Sequence, residues 1–420
     1  MEISQWWDRE HLEALRLVKL QRLLASVEVH VPYYRGLFAK IGFSAADVRS
    51  LEDLACLPLL DKPAIRANIE ALKSDSGRTL VRFNTGGSSG EPLIFYIGKE
   101  RISHDVAAKW RATRWWDVDI GDEEIVIWGS PIELGAQDGL RALRDRLLRT
   151  RLLPAFEMSE QKLDRFVDEI IKVRPKMLFG YPSALSHIAR HAAAKGRRMD
   201  DLGIRVAFVT SERLYDDQRR RISETFGCPV ANGYGGRDAG FIAHECPQGG
   251  MHITAEDIIV EIVDQRGMPL PCGESGEIVV THLATGDFPF IRYRTGDMGM
   301  LDNALCGCGR GLPLIKEIQG RSTDFLVARD GKVMHGLALI YVLRDIPQVR
   351  NFKIIQESLE LTRVCVVPDG KLSSAVIERI EHGFKARLGQ GVEIVIEEME
   401  QIPTEKSGKF RYVMSKVSSM

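Results

Sequence analysis

The chain has 420 residues, 44% hydrophobic and 27% charged, with a formal net charge of -1. That length exceeds one ordinary core and favours a large domain plus at least one smaller one, in a globular protein of ordinary composition. Near-balanced charge gives no reason to expect nucleic acid or an anionic membrane as partner, and no apolar run nears the roughly 18 to 20 residues that span a bilayer.

The first residues mix Glu2, Asp8, Arg9 and Glu10 with apolar ones, which is not the form of a signal peptide, so the expected location is cytoplasmic. Leu12, Leu15, Leu17, Val18, Leu20, Leu23 and Leu24 recur at spacings that predict an amphipathic helix, ended by Val31-Pro32-Tyr33-Tyr34. Two strand-like runs, 79–83 and 93–96, then flank a loop of small and hydroxyl residues. Further on, short runs rich in Val, Ile, Leu and Phe at 124–128, 176–179 and 206–210 alternate with helical stretches at 160–173, 183–195 and 215–226. Alternation of this kind predicts an α/β fold, a large N-terminal domain of mostly parallel sheets flanked by helices. From about residue 253 strand-rich segments such as 258–263 and 277–281 predict a β-rich subdomain to about 318. Beyond Gly320-Arg321, residues 321–420 have the length of a small α+β domain, with a helix at 372–388 between strands at 361–367 and 392–397.

The loop between the two early strands reads Asn84-Thr85-Gly86-Gly87-Ser88-Ser89-Gly90-Glu91-Pro92. Three glycines let a backbone approach an anion and turn its N–H groups inward, and the hydroxyls add donors, as a polyphosphate requires. Four elements follow it. In Asn232-Gly233-Tyr234-Gly235-Gly236-Arg237-Asp238, Tyr234 offers a flat face for a base and Asp238 a hard oxygen for Mg²⁺. In Tyr293-Arg294-Thr295-Gly296-Asp297, an Asp in a tight turn after a strand suits the two hydroxyls of a ribose. Gly320-Arg321-Ser322-Thr323-Asp324 marks the domain junction. Pro403-Thr404-Glu405-Lys406-Ser407-Gly408-Lys409 puts a lysine on a polar loop near the C-terminus. Taken singly, each also reads as a linker, a turn or a solvated surface residue.

Together and in this order, the five elements resemble the signature of the adenylate-forming superfamily of acyl-CoA synthetases and related ligases. The resemblance is closer to the phenylacetate-CoA ligase family and its CapK-like relatives. It is carried by Val31-Pro32-Tyr33-Tyr34-Arg35, Pro58-Leu59-Leu60-Asp61-Lys62, Tyr181-Pro182-Ser183 and Cys306-Gly307-Cys308-Gly309-Arg310, and it spans essentially the whole chain. It implies a carboxylate attacking the α-phosphate of ATP, loss of pyrophosphate, and capture of the acyl adenylate by a thiol, usually that of CoA. Thr85, Gly86, Gly87, Ser88, Ser89 and Gly90 would then hold phosphates, with Ser211, Glu212, Tyr234, Gly235, Asp297 and Arg321 completing the ATP site. Asp238 would bind Mg²⁺, Lys409 would bridge the carboxylate and the α-phosphate, and Tyr181, Pro182 and Gly233 would line the acid pocket. The resemblance further implies a mobile C-terminal domain and a possible homodimer. Three positions depart from the family pattern: Glu91 where a lysine is common, Asp238 where a glutamate is usual, and Thr323 where the hinge is commonly Asp or Lys.

Seven cysteines in so long a chain do not suggest a disulfide scaffold, and Cys56, Cys228, Cys272 and Cys365 are scattered. Cys246 and His252 lie six positions apart, and Cys306 and Cys308 form a CxC pair. Three thiolates and an imidazole make a closed tetrahedron suited to structural Zn²⁺, with His244 as an alternative to His252.

Overall fold

The computed structural model describes residues 1–85, 93–128, 145, 147–155, 158–321, 325–331, 333–403 and 411–417. Two compact units are formed, one from Met1–Thr295 and Gly299–Ile318, the other from Gly296–Met298 and the described residues of 319–403 and 411–417. No described helix is long and apolar enough to cross a membrane.

The first unit begins with α1 (Arg9–His30), whose N-terminus is capped by the Asp8 carboxylate accepting from the His11 N–H at 2.9 Å. Leu12, Leu20, Leu23, Leu24 and Val27 form its buried stripe, while Val18, expected on that face, is exposed. Pro32 does more than end α1. It opens α2 (Pro32–Ile41), because a proline suits the first helical turn, where its missing N–H has no partner to lose. After α3 (Lys62–Ala67), strands β1 (Val81–Asn84) and β2 (Ile94–Ile97) pair as an antiparallel ribbon, followed by α4 (Lys99–Arg114).

An eleven-stranded mixed sheet organises the unit. Its parallel half runs β4 (Thr150–Pro154), β3 (Glu124–Trp128), β5 (Met177–Gly180), β6 (Val206–Thr210), β7 (Val230–Gly236). The connections from β4 to β5, β5 to β6 and β6 to β7 each carry a covering helix: α5 (Glu160–Val173), α6 (Pro182–Ala194) and α7 (Asp216–Phe226). Leu163, Phe166, Ile170, Leu185, Ile188 and Ile222 pack with Ile125, Leu178, Ala207 and Val209 of the strands in one core. Every residue of β5 and β6 is buried, as strands covered on both faces require. On the other face Ala112 of α4 packs with Met177, Phe208 and Ala231.

Beyond β7 the sheet continues through β8 (Gly240–Glu245), β9 (Met251–Ile253), β13 (Leu314–Arg321), β12 (Tyr293–Asp302), β11 (Gly276–His282) and β10 (Ile258–Val263). The strand-rich stretch therefore adds to the same sheet as the parallel strands. Pairs β7–β8, β8–β9, β9–β13 and β10–β11 are antiparallel. The α/β class read from the alternation holds.

The second unit contains a four-stranded sheet in the order β18 (Glu393–Glu398), β17 (Leu361–Pro368), β16 (Val349–Gln356), β19 (Val413–Ser415). Helices α8 (Leu337–Arg344) and α9 (Ser374–Leu388) accompany it, with a small ribbon of β14 (Phe325–Val327) and β15 (Val333–His335). Buried Gln356 ties the ribbon to the sheet, accepting from the Val327 N–H at 3.0 Å and donating to its carbonyl at 2.7 Å.

Candidate active site

The stretch Asn232 to Gly236 is strand rather than loop: β7 and β8 form a hairpin whose turn, 237–239, carries Asp238. This turn is braced from beneath by a buried cation. Arg101 of α4, 1% exposed, donates from Nη1 to the Asp238 carbonyl at 3.0 Å and from Nη2 to the Arg237 carbonyl at 3.2 Å. Its Nε donates to the Asp105 carboxylate at 3.0 Å, which keeps the buried charge paired. The Asp238 carboxylate is oriented by the Tyr293 hydroxyl, which donates to Oδ2 at 2.6 Å, and by the Ala239 N–H on Oδ1 at 3.0 Å.

The same turn reaches the entrance of the glycine and serine loop. Arg237 Nη1 donates to the Asn84 carbonyl at 3.1 Å, one residue before Thr85. Thr85 closes the neck: its N–H donates to the Leu93 carbonyl and its Oγ1 accepts from the Leu93 N–H, both at 2.9 Å. Gly86, Gly87, Ser88, Ser89, Gly90 and Glu91 lie outside the described residues, as do Thr323 and Lys409. Asp297, expected in a tight turn, lies within the long strand β12 beside Gly296, whose φ is +79°. Arg321 ends β13.

A second set of expected residues gathers at the C-terminal ends of the parallel strands, where open α/β sheets present their ligand crevices. Tyr181 follows β5 and Pro182 opens α6. The buried Tyr181 ring stacks on Trp128 of β3, with centroids 4.4 Å apart and planes at 27°. Ser211, just past β6, is held at φ +71°, a strained backbone for a residue other than glycine. The Glu212 carboxylate accepts from the Ser183 N–H at 3.2 Å and so joins the 211–212 segment to the start of α6.

Gly233 belongs to one rung that crosses the sheet, with Thr210 opposite Gly233, Gly233 opposite His244, His244 opposite His252, and His252 opposite Leu314. Directly opposed residues share a face, so this rung carries Gly233 and both histidines on one side. A methyl group at Gly233 would lie 2.8 Å from Phe208 Cε1 and 3.5 Å from His244 Cδ2. Burial pushes the His244 imidazole down to about 3, helped by Arg111 and His104, so this ring is neutral.

At the far end of the rung stand the four metal-type ligands. The ligand atoms of Cys246, His252, Cys306 and Cys308 all lie within 4.8 Å of one another. Cys246 Sγ is 3.6 Å from Cys306 Sγ, and Cys308 Sγ is 3.2 Å from His252 Nε2. Tetrahedral zinc would set about 3.8 Å between two thiolates and about 3.6 Å between thiolate and imidazole. The His252 Nδ1–H donates to the Leu312 carbonyl at 3.3 Å, which turns the Nε2 lone pair toward the cluster. Gly250 supplies the space: a Cβ there would sit 2.6 Å from Cys306 Sγ. His252, not His244, is the imidazole among the cysteines. Burial raises the Cys246 thiol to about 12, whereas Cys308, though also opposed by burial, is held below its ordinary value by the Arg310 N–H and side chain.

His104, Asp105 and His282 form another close group, but with a different proton inventory. The His104 Nδ1–H donates to Asp257 Oδ2 at 3.0 Å. His282 Nδ1 accepts from the Ala284 N–H at 3.3 Å, leaving its proton on Nε2, and Asp105 is engaged by Arg101. The group presents a ring bonded to Asp257, an N–H and a paired carboxylate.

Sequence reasoning missed Arg101, quoted Tyr293 without a role, and weighed His244 only as an alternative zinc ligand. Only their places near recognised motifs signal them, since their partners lie far off in sequence.

A profile for the AMP-binding enzyme family matches residues 150–285, and one for the CapK C-terminal domain matches 326–416. Protein CapK of Staphylococcus aureus is 23% identical over 99% of this chain and 92% of its own length. The phenylacetate-coenzyme A ligase of Thermus thermophilus is 26% identical over 97% of each chain. Among solved structures, 2-hydroxyisobutyryl-CoA ligase with bound 2-HIB-AMP superposes with a TM-score of 0.79 at 22% identity, covering 97% of this chain and 90% of that one, a likeness of fold. The chain thus matches an AMP-binding enzyme domain and a CapK C-terminal domain, and over nearly its whole length it is similar to phenylacetate-CoA ligases and to CapK.

Proposed function

We propose that this protein activates a carboxylic acid with ATP, giving an acyl adenylate and pyrophosphate, and passes the acyl group to CoA. The observation that carries the reading is the turn at Asp238. A half-buried carboxylate, oriented by Tyr293, is fixed through Arg101 on a backbone that also reaches the neck of the glycine and serine loop. Rigid placement of a hard oxygen beside a phosphate-binding loop is what a Mg²⁺-dependent nucleotide reaction needs, because its barrier is charge on the phosphates. Mg²⁺ bound there would neutralise part of that charge.

In this reading Thr85 to Gly90 hold the outgoing phosphates, and Ser211, Glu212, Tyr234, Gly235, Asp297 and Arg321 hold the nucleoside and α-phosphate. Lys409 meets the charge that builds between acid and α-phosphate. Tyr181, Pro182 and Gly233 bound the acid, with Trp128 and Phe208 as aromatic walls, which suits an aryl or short apolar acid. The cluster of Cys246, His252, Cys306 and Cys308 holds a structural Zn²⁺, its four positions filled and none left for chemistry.

The test is acid-dependent exchange of labelled pyrophosphate into ATP across a panel of aliphatic and aromatic acids. At least one acid should support exchange, and Lys409→Ala should lower its rate by about 100-fold or more, the scale of a lost electrostatic contact in the transition state. Adding CoA, amines or carrier proteins to the active mixture identifies the acceptor. No exchange with any acid would overturn the proposal.

A further inference from the structure

Helix α4 buries a polar stripe and exposes an apolar one. Arg101, His104 and Arg111 point into the core, whereas Ile102, Val106 and the part-buried Trp110, four residues apart and so in one row, face outward. Val106 is 53% exposed, and Ile120, just past the helix, 51%. Beside the row lie Ser103 and Ala107, small side chains that leave a groove of about 550 Å³, completed by Met1, Glu2 and Ile120. A solvated helix face carries polar residues at these positions, and an exposed apolar row beside an open groove marks an interaction surface. We infer that this face of α4 pairs with the same face of a second copy of the chain, the two helices antiparallel about a twofold axis.

A twofold contact needs a patch that is complementary to itself, and two features of α4 supply one about a shared centre. The row of Ile102, Val106 and Trp110 is symmetric about Val106, and the exposed charges Glu100 and Arg114 are symmetric about Ala107. An axis passing the helix at Val106 and Ala107 therefore seats the row of each copy in the groove over Ser103 and Ala107 of the other, ridge into groove. The same axis brings Glu100 of each copy to Arg114 of the other. Arg114 is itself held by Glu2 and Asp119, each at 2.8 Å, and exposed Lys99 arriving beside Glu100 meets that additional negative charge. Opposite charges at both ends and small residues at the centre are what a second copy requires, whereas an unrelated partner would need no such symmetry.

Sedimentation velocity on the full-length protein across a concentration series tests the pairing independently of any activity. The wild type should form a reversible dimer. Val106→Lys should raise its dissociation constant at least about 100-fold, because two ammonium groups would meet near the axis, and a thermal melt should be unchanged since the position is exposed. Glu100→Arg and Arg114→Glu should each weaken the dimer at least about tenfold, and the double variant Glu100→Arg/Arg114→Glu should return to within about threefold of the wild type, because both cross-pairs are then reversed together. Wild type that stays monomeric at every concentration would overturn the inference; if it also binds an apolar fluorescent dye that Val106→Lys does not, the groove takes a small apolar ligand instead. A dimer indifferent to Val106→Lys, or a double variant as weak as the single ones, would overturn it equally.

Discussion

Gly233→Ala tests the placement of the acid pocket with the smallest possible perturbation. The new methyl would lie 2.8 Å from Phe208 Cε1, against 3.5 Å from His244 Cδ2 and 3.6 Å from Thr210 Cβ. Only the first contact is too close, so the Phe208 ring must give by several tenths of an ångström. That ring is buried and stacked on Phe179 at 5.8 Å, which limits its retreat. Overpacking of this kind costs about 1–3 kcal/mol where no space is available. In the proposed pocket the methyl also takes room from the acid, and one methylene in such a pocket is worth about 1–3 kcal/mol, or roughly 10–200-fold in specificity. The expected result in the pyrophosphate exchange assay is a rise of at least about tenfold in the KM of the best acid, with the KM of ATP within about twofold. A thermal melt run in parallel would show whether the fold tolerates the change. An unchanged acid KM in a stably folded variant would refute the reasoning, as would a selective loss of ATP affinity.

Four further outcomes are expected. Tyr293→Phe removes a charge-assisted hydrogen bond of 2.6 Å to Asp238, worth about 1.5–3 kcal/mol, and should raise the Mg²⁺ concentration that half-saturates exchange; an unchanged Mg²⁺ dependence would count against Asp238 as the metal ligand. Metal analysis should find one zinc per chain in the wild type and almost none in Cys306→Ser, with a lower melting temperature; zinc-free wild type would remove the structural site. Arg111→Met strands Glu256, whose Oε1 lies 2.6 Å from Arg111 Nη1 in the interior, and should cost about 3–5 kcal/mol by urea unfolding, most of it recovered in Arg111→Met/Glu256→Leu; a single-variant cost below about 1 kcal/mol would contradict the pairing. His187 is lowered to about 4 and His282 well below its ordinary value, both chiefly by burial, so below about pH 6.5 the unfolded chain takes up more protons than the native one. Stability should therefore fall on acidification from about pH 6.5 toward 4, by roughly 1.4 kcal/mol per pH unit for each such histidine, and His187→Gln should flatten that slope; a slope unaltered by the substitution would speak against it.

Elements whose sequence pattern and environment agree were legible. The runs at 124–128 and 206–210 are strands with those bounds, and 160–173 is a helix whose Leu163, Phe166, Val167 and Ile170 face the core at helical spacing. Helix α4 was not legible, for a physical reason. Its inward positions are Arg101, His104, Ala108, Arg111 and Ala112, so the stripe that faces the core is largely polar and presents no apolar periodicity. Arg101 pairs with Asp105 of the same helix, whereas Arg111 and His104 are satisfied by Glu256 and Asp257, partners that only the tertiary fold supplies. The same holds for the candidate site. Tyr234 and Asp238 stand out as types in a glycine-rich stretch, but the Tyr293 hydroxyl that orients Asp238 comes from 55 residues away. Asn232 to Gly236, taken alone, read as a glycine-rich turn, yet here they lie in β7, and Gly233 leaves room beside Phe208.

If the cysteine and histidine cluster holds zinc, the rung from Thr210 to Leu314 makes it a device for fixing register. Cys246 lies just past β8, His252 is in β9, and Cys306 and Cys308 precede β13, so a metal held there would clip together three neighbouring strands. A slip of one residue in a strand turns every side chain to the opposite face. Such a slip in β9 would pull His252 from its cysteines, and one in β8 would carry His244 away from Gly233. With its metal bound, the cluster would therefore set the alignment of the wall at Gly233, one strand beyond β8, and a lesion at the thiols would be felt in the shape of the crevice there.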